Sequence, residues 1–497
     1  FWGEDCLQEF DGMFAFAIWD EEAKTLFCAR DRFGEKPFYY SYVSGQQFIF
    51  ASEMKAIFAA GVEQDVNQEM LFRYLAHDVV ENPAAKKETF YSNVSKLEAG
   101  HSLTIHLGEE PVIKKYWFIN PTIDYSIGFD EAKSRFRALF LTSIERRLRS
   151  DVPVGSSLSG GLDSSAVVLA IDLLKKEGQT QKTFSARFND KEFDEGRYIE
   201  MVVNSKQGIQ PYFTWPDQEQ LYNSIQQIFY HQEEPFGSSS IYAQWEVMKL
   251  AKQNNVTVLL DGQGADETLA GYIHYFDPFF KECYLKDKKE WKLEYTAFKD
   301  LHEKEITFDP SFFLSAKFPQ VYSTLGKLKR KVTVPAYAND FESSFVDEYK
   351  VSLPFEQNRN NLNNTLKFDC EKYGLEKLLR YSDRNAMAFS REVRLPFLSH
   401  ELVNFLFTLP SAFKINRGWT KRIMRESLSD ILPEEIEKRV DKLGFQPPQQ
   451  KWLQQKGWKN LLEDANLNLK KMRILKSNSN FRNWRVLMAS QLLNTKW

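Results

Sequence analysis

The sequence predicts an α/β protein in two parts, and three features of its patterning carry that reading. Residues 1 to about 118 are short apolar runs punctuated by turn residues, the mark of a β-rich unit. From about residue 129, strand-like and helix-like segments alternate, as in a doubly wound parallel sheet with helices on both faces. Beyond Ile273 the alternation gives way to helical spacing, so the second part ends in a largely helical portion.

The elements follow in order. Residues 13–20 are a buried-strand run ending in a charged turn, and 25–30 answers it as a hairpin partner. A second pair, 38–42 and 47–51, flanks Ser44-Gly45. Residues 52–60 and 70–75 have helical spacing, and 111–121, with Tyr116-Trp117, reads as the exit from this layer. Asp130 can cap a helix whose apolar face carries Phe136, Leu139, Phe140, Ile144 and Leu148. Strand 152–158, helix 164–176, strand 183–188, helix 194–206 and strand 212–215 come next. Two helical stretches then lead to strand 256–260. Residues 372–497 read as helices with loops at Pro396, Pro410, Pro433 and Pro447-Pro448.

Composition narrows the class of function. The chain has 497 residues, 43% hydrophobic and 27% charged, a balance that supports packed cores rather than disorder. A net charge of -3 with interspersed signs gives no basis for nucleic acid or an anionic membrane as partner. No apolar run is long enough to span a bilayer. Cys6, Cys28, Cys283 and Cys370 are scattered without C-x-x-C pairing, and the seven histidines show no H-E-x-x-H spacing. The expectation is a reduced, cytoplasmic protein without disulfides or zinc.

The chemistry concentrates where strand 152–158 meets its helix. Ser159-Gly160-Gly161-Leu162-Asp163-Ser164-Ser165 occupies that junction. Glycines let backbone amides approach phosphate oxygens, and the helix N-terminus adds unpaired N–H groups and partial positive charge. Ser159, Ser164 and Ser165 can add hydroxyl donors. G-x-x-x-x-G-K-[ST] is absent, so this is not the loop of enzymes that transfer the γ-phosphate. A plain glycine turn is the alternative, and the position of the string argues for a grip on pyrophosphate. A second glycine-rich turn, Asp261-Gly262-Gln263-Gly264-Ala265-Asp266, follows strand 256–260. In a doubly wound sheet both turns can open on one crevice, where Asp163 and Asp266 would offer hard oxygen ligands to the Mg²⁺ that accompanies ATP.

Residues 159–165, 261–272, 381–398 and 438–448, and in the first part 11–20, 29–37 and 51–56, resemble the class B, glutamine-dependent asparagine synthetases. The likeness covers essentially the whole chain. It implies that residues 1–118 are the remnant of an αββα N-terminal-nucleophile glutaminase domain. Residues 129–497 would be the ATP-pyrophosphatase synthetase domain. It also implies a two-step reaction: the β-carboxylate of aspartate takes AMP from ATP and releases pyrophosphate, then ammonia displaces AMP. Aspartate, ATP and ammonia or glutamine are the implied small-molecule partners, with a homodimer as the candidate assembly.

By position in the family's motifs, Ser157, Leu158, Ala186, Asp261 and Gly262 would hold adenine and ribose. Lys442 in Lys442-Leu443-Gly444-Phe445 resembles the family's essential lysine, although a solvated surface lysine is the default outside that motif. Lys421 and Arg394 are further candidates for phosphate or substrate charge. Glu392 either orients a cation or pairs with one structurally. Gln263 stands where many relatives carry an acid, which bears on the intermediate and on the acyl acceptor. A related synthetase acting on another carboxylate is the alternative. Glutamine hydrolysis in this family depends on an N-terminal cysteine, and Cys6 and Cys28 both read as core cysteines instead. Phe1-Trp2-Gly3 enters directly into structured sequence, so the expectation is that residues precede it in a complete parent and that the chain as given takes ammonia.

Overall fold

A computed structural model gives the fold for residues 2–176, 178–322, 339–349, 361–441 and 446–497. The N-terminal part contains β1 (Ala15–Asp20), β2 (Thr25–Arg30), β3 (Tyr39–Val43), β4 (Gln47–Ala51), β5 (Ser95–Lys96), β6 (His101–His106) and β7 (Val112–Lys115). They form two antiparallel sheets, ordered β1-β2-β6-β7 and β4-β3-β5. The β1–β2 and β3–β4 hairpins are the pairs read from the sequence, while β5 and β6 fall where no strand was expected. Inward residues of both sheets, Cys28, Tyr40 and Leu103 among them, share one small core. Cys28 is fully buried there, and burial pushes its thiol up to about 12. Cys6 is only half-buried, on the short helix Cys6–Glu9, because that helix lies at the rim of the sheet rather than between layers.

The second part is built on β8 (Val154–Ser157), β9 (Gln181–Ala186), β10 (Ile209–Thr214), β11 (Val258–Leu260) and β12 (Glu392–Arg394). All neighbours are parallel, in the order β10-β9-β8-β11-β12. Alternation sorts side chains to the two faces. Val258 and Leu260 join helices Phe129–Arg147 and Leu162–Leu174 in one core, whereas Phe184, Leu259 and Val393 join helix Ser240–Gln253 in the other. Helices thus cover both faces, as the alternation predicted. β9 and β10 begin earlier than their apolar runs, because Gln181 and Lys182 pair with Ile209 and Gln210 despite polar side chains. β12 corrects the sequence reading, which placed only helices and loops after residue 372. Its three residues, Glu392-Val393-Arg394, are too few to show a period of two.

The two parts share a large apolar core, in which Met54, Leu71, Phe72 and Tyr91 of the first pack with Ile225, Trp458 and Trp484 of the second. One face of helix Leu375–Ala388, which carries Glu376, Arg380, Asp383 and Arg384 at helical spacing, adds charged contacts to the junction. Glu376 accepts Arg30 at 2.7 Å, Lys86 at 2.6 Å and Lys96 at 3.2 Å, and the two lysines also reach Glu81 at 2.7 and 2.9 Å. Asp383 takes Lys36 at 3.0 Å. Arg380 and Arg384 pair with Glu234 and Glu233 of the second part, the latter at 2.7 Å. Those two glutamates in turn accept backbone N–H groups of the first part, Glu233 from Met54 and Lys55 and Glu234 from Phe90. Side chains of Arg30, Lys86, Lys96, Glu81 and Glu376 are all buried, so each charge depends on its partners.

Removing the hub should therefore be costly. Glu376→Ala leaves Arg30, Lys86 and Lys96 with one buried carboxylate, and should lower unfolding free energy by about 3–5 kcal/mol in urea titration. A second expectation concerns Glu35, buried in the loop after β2. Burial, reinforced by Asp31, pushes its carboxyl up to about 8 against the opposing pull of Arg147 and Lys36. An acid whose folded pKa exceeds its unfolded value opposes folding once the unfolded chain ionises. Glu35 should then subtract stability as pH rises from about 4.5 to 8. Glu35→Gln should flatten that slope and gain about 3 kcal/mol at pH 8 relative to pH 4, read from urea midpoints.

Candidate active site

Strand order reverses between β8 and β11, and their carboxyl ends therefore open on a shared crevice. A cavity of about 420 Å³ occupies it. One rim is the turn after β8. There Ser164 Oγ accepts the Ser159 N–H at 3.2 Å and meets Ser159 Oγ at 3.0 Å, and Gly161 N donates to Ser159 Oγ at 3.3 Å. The serines thus shape the turn, leaving the N-terminus of helix Leu162–Leu174 facing the cavity. The other rim is the turn after β11. A Cβ on Gly262 would sit 2.9 Å from both Asp163 Cβ and Ser164 N, so only glycine lets the two turns meet this closely. Asp261 accepts the N–H of Gly262 at 2.7 Å, and burial pushes its carboxyl up to about 6.

Three cations gather at this rim. Lys421 Nζ lies 2.5 Å from Asp163 and 2.7 Å from Asp266. Arg439 donates to the Gly160 carbonyl at 3.0 Å and to Glu195 at 2.6 Å, with its guanidinium 3.8 Å from the centroid of the Tyr198 ring. Arg425 donates to the carbonyls of Thr420, Glu437 and Arg439, and burial pushes it down to about 10. The far wall is apolar, with Phe184, Ile241 and Val247, and Phe184 stacks on Tyr212 at 5.4 Å. Ser157 Oγ and Gln263 Oε1 are buried on the cavity lining without a hydrogen-bond partner among the described residues. A flat apolar wall, unpaired acceptors and donors, and a helix N-terminus beside cations fit a nucleotide with its phosphates on the turns. Asp163 and Asp266 would offer two hard oxygen ligands to a divalent ion. Among the described residues no group of three or more His, Cys, Asp or Glu could hold a metal ion. A Mg²⁺ there would complete its shell with phosphate and water oxygens, its usual mode.

Of the residues read from the sequence, Ser157, Leu158, Ser159, Gly161, Asp163, Ser164, Asp261, Gly262, Gln263, Asp266 and Lys421 line the cavity together. Gly160 turns its carbonyl away to Arg439, and Ala186 is buried at the end of β9, one step past Phe184 on the same strand face. Glu392 is not brought to the cavity. β12 runs parallel to β11 with Glu392 opposite Val258, two residues before the carboxyl end, and its carboxylate pairs with Arg394 at 2.6 Å. Arg394 is also structural, donating to the carbonyls of Arg147 and Arg149 at the end of helix Phe129–Arg147. Lys442 lies outside the described residues. Arg439, Arg425, Glu195 and Tyr272 line the cavity without having been singled out. Arg439 sits inside the 438–448 motif and Tyr272 ends the 261–272 stretch, signals that were available, whereas Glu195 carries no local pattern.

A glycine turn at the reversal of a parallel sheet, without a Walker lysine, places the chain among doubly wound α/β proteins whose crevice suits a nucleotide. Comparison with known proteins sharpens this. Residues 135–479 match the asparagine synthase family and residues 1–117 match the glutamine amidotransferase domain. The chain belongs to the asparagine synthase family. Asparagine synthetase (glutamine-hydrolyzing) 1 of Bacillus subtilis is 29% identical over 90% of this chain and 70% of its own length. Asparagine synthetase (glutamine-hydrolyzing) 3 of the same organism is 29% identical over 88% and 67%. A Methanocaldococcus jannaschii relative is 38% identical over 56% of this chain and 53% of its own, so the chain spans about half that protein's length. No helix among the described residues is long and apolar enough to cross a membrane.

The Arg439 clamp makes a testable link between the phosphate turn and the C-terminal arm. Arg439→Met takes one cationic partner from Glu195 and the side-chain donor from the Gly160 carbonyl. It should lower unfolding free energy by about 2–4 kcal/mol in urea, with faster amide exchange at Gly160 and Gly161 than elsewhere in the sheet.

Proposed function

We propose that the chain forms asparagine from aspartate, ATP and ammonia through a β-aspartyl-AMP intermediate. The observation that carries this is the pair of tightly packed glycine turns that brings Asp163, Asp266 and Lys421 to the N-terminus of helix Leu162–Leu174, opposite an apolar wall. Donors gathered at the phosphate end favour release of pyrophosphate as a unit, so the bond that breaks is between the α- and β-phosphates. Ser159, Gly160, Gly161 and Ser164 hold the leaving pyrophosphate, with Asp163 and Asp266 as the metal ligands. Mg²⁺ supplies charge neutralisation at the phosphates when bound. Ser157, Leu158, Asp261 and Gly262 would frame adenine and ribose against Phe184, with Ala186 at the end of β9 on the same strand face as Phe184.

In the first step an oxygen of the aspartate β-carboxylate attacks the α-phosphorus. In the second, ammonia attacks the carbonyl carbon of the activated β-carboxyl group, AMP leaves with that oxygen, and the nitrogen gives up a proton to become the amide. Lys421, and Lys442 by its motif, stabilise charge on the phosphates. The Gln263 amide faces the reacting groups and can donate to the intermediate. Glu392, away from the cavity, keeps Arg394 in place. Residues 1–118 form the glutaminase-derived part and 129–497 the synthetase part, and the buried Glu376 network fixes one on the other.

The test is product analysis. With ammonium, aspartate and Mg-ATP, purified protein should yield asparagine and AMP in equal amounts, and Asp163→Asn should cut kcat/KM at least ~100-fold. ADP as the nucleotide product, or AMP release indifferent to aspartate, would overturn the assignment.

A further inference from the structure

The position of Lys421 carries more than a charge for phosphate. Its ammonium sits between Asp163 and Asp266, and the side chain is almost wholly buried. The backbone at Lys421 is left-handed, with φ at +53°, an uncommon conformation for lysine that aims the side chain inward from the start of helix Arg422–Ser427. Gly271 closes the pocket from the other side. A Cβ there would come 2.0 Å from Asp266 Oδ1 and 2.2 Å from Lys421 Cε, so the ion pair occupies the space any side chain would need. The contact is therefore built by three segments rather than made by one mobile lysine.

We propose that Lys421 is the resident counter-cation of the Asp163–Asp266 pair, and that a divalent cation reaches these carboxylates only in exchange for it. This rests on the reading of the two acids as metal ligands given above. An ammonium and a divalent ion cannot share the same two oxygens in a buried site without strong like-charge repulsion. Polyphosphate supplies what the exchange needs, because it offers the displaced ammonium a new anionic partner beside the helix N-terminus. Metal and nucleotide then enter together, and metal alone is excluded. Between turnovers the acid pair is never left uncompensated, which would be costly at this depth.

Mn²⁺ binding, followed by loss of the free-ion electron paramagnetic resonance signal without nucleotide, tests the exchange. Wild-type protein should show no Mn²⁺ site lost on Asp266→Asn at up to millimolar metal. Lys421→Met should gain one site per chain at least tenfold tighter than any wild-type site, and the Lys421→Met/Asp266→Asn double variant should lose it. Mn²⁺ should also raise the melting temperature of Lys421→Met while leaving wild type unmoved. Tight Mn²⁺ binding by nucleotide-free wild type that depends on Asp266 would overturn the proposal, and needs no Lys421 variant to fold. So would a folded Lys421→Met that gains no site. Aspartate and ammonium are absent from this measurement, so its failure leaves AMP formation standing, and failure of AMP formation leaves the exchange to be judged separately.

Discussion

The reversal of strand order between β8 and β11 is the constraint from which the rest of the site follows. Parallel strands that diverge from one point leave a gap above their carboxyl ends, and two glycine turns can face each other only there. Gly262 then allows the backbones to close on each other, which brings Asp163 and Asp266, residues 103 positions apart in sequence, onto the same ammonium. Neither turn would gather charge in this way alone. Helix Leu162–Leu174 contributes its N-terminus, and the segment from 421 to 439 contributes Lys421, Arg425 and Arg439 to the same cavity.

A second constraint holds the two parts of the molecule together. Helix Leu375–Ala388 lends its other residues to the core of the synthetase part while turning a charged face toward the first part. Buried ion pairs rarely add much stability over apolar packing, but they are intolerant of misalignment. Glu376, Asp383 and Arg384 thus set the register of an interface whose shared apolar core, Leu71, Phe72, Ile225 and Trp484 among its members, supplies the binding energy. Tyr381, on the same helix, lines the nucleotide cavity, so the register of this helix also bears on the geometry of the site. Positions far apart in sequence, such as Arg30 and Glu376, are coupled by it.

Much of this was legible in the sequence because it is written locally. A glycine-serine string at a strand–helix junction is a local signal whose position favours phosphate over a plain turn, and hydrophobic alternation marks the strands flanking it. Most of the residues predicted to touch the nucleotide do share the cavity. What was not legible depends on geometry with no local trace. Glu392 lies within a family motif, yet the direction of β12 keeps it two residues short of the site. β12 itself is too short to produce a pattern. Arg439 and Glu195 meet across 244 positions, and nothing near either residue announces the other. Lys421 was read as a ligand for phosphate, and only the fold places it on the very carboxylates read as metal ligands.

The central claim is that a carboxylate oxygen of aspartate becomes bonded to the α-phosphorus of ATP. Aspartate labelled with ¹⁸O in its β-carboxylate tests that bond directly. After turnover with ammonium and Mg-ATP, the account predicts AMP carrying one ¹⁸O, visible as an isotope shift in its ³¹P resonance, and pyrophosphate carrying none. Unlabelled AMP, or label in inorganic phosphate beside ADP, would contradict it.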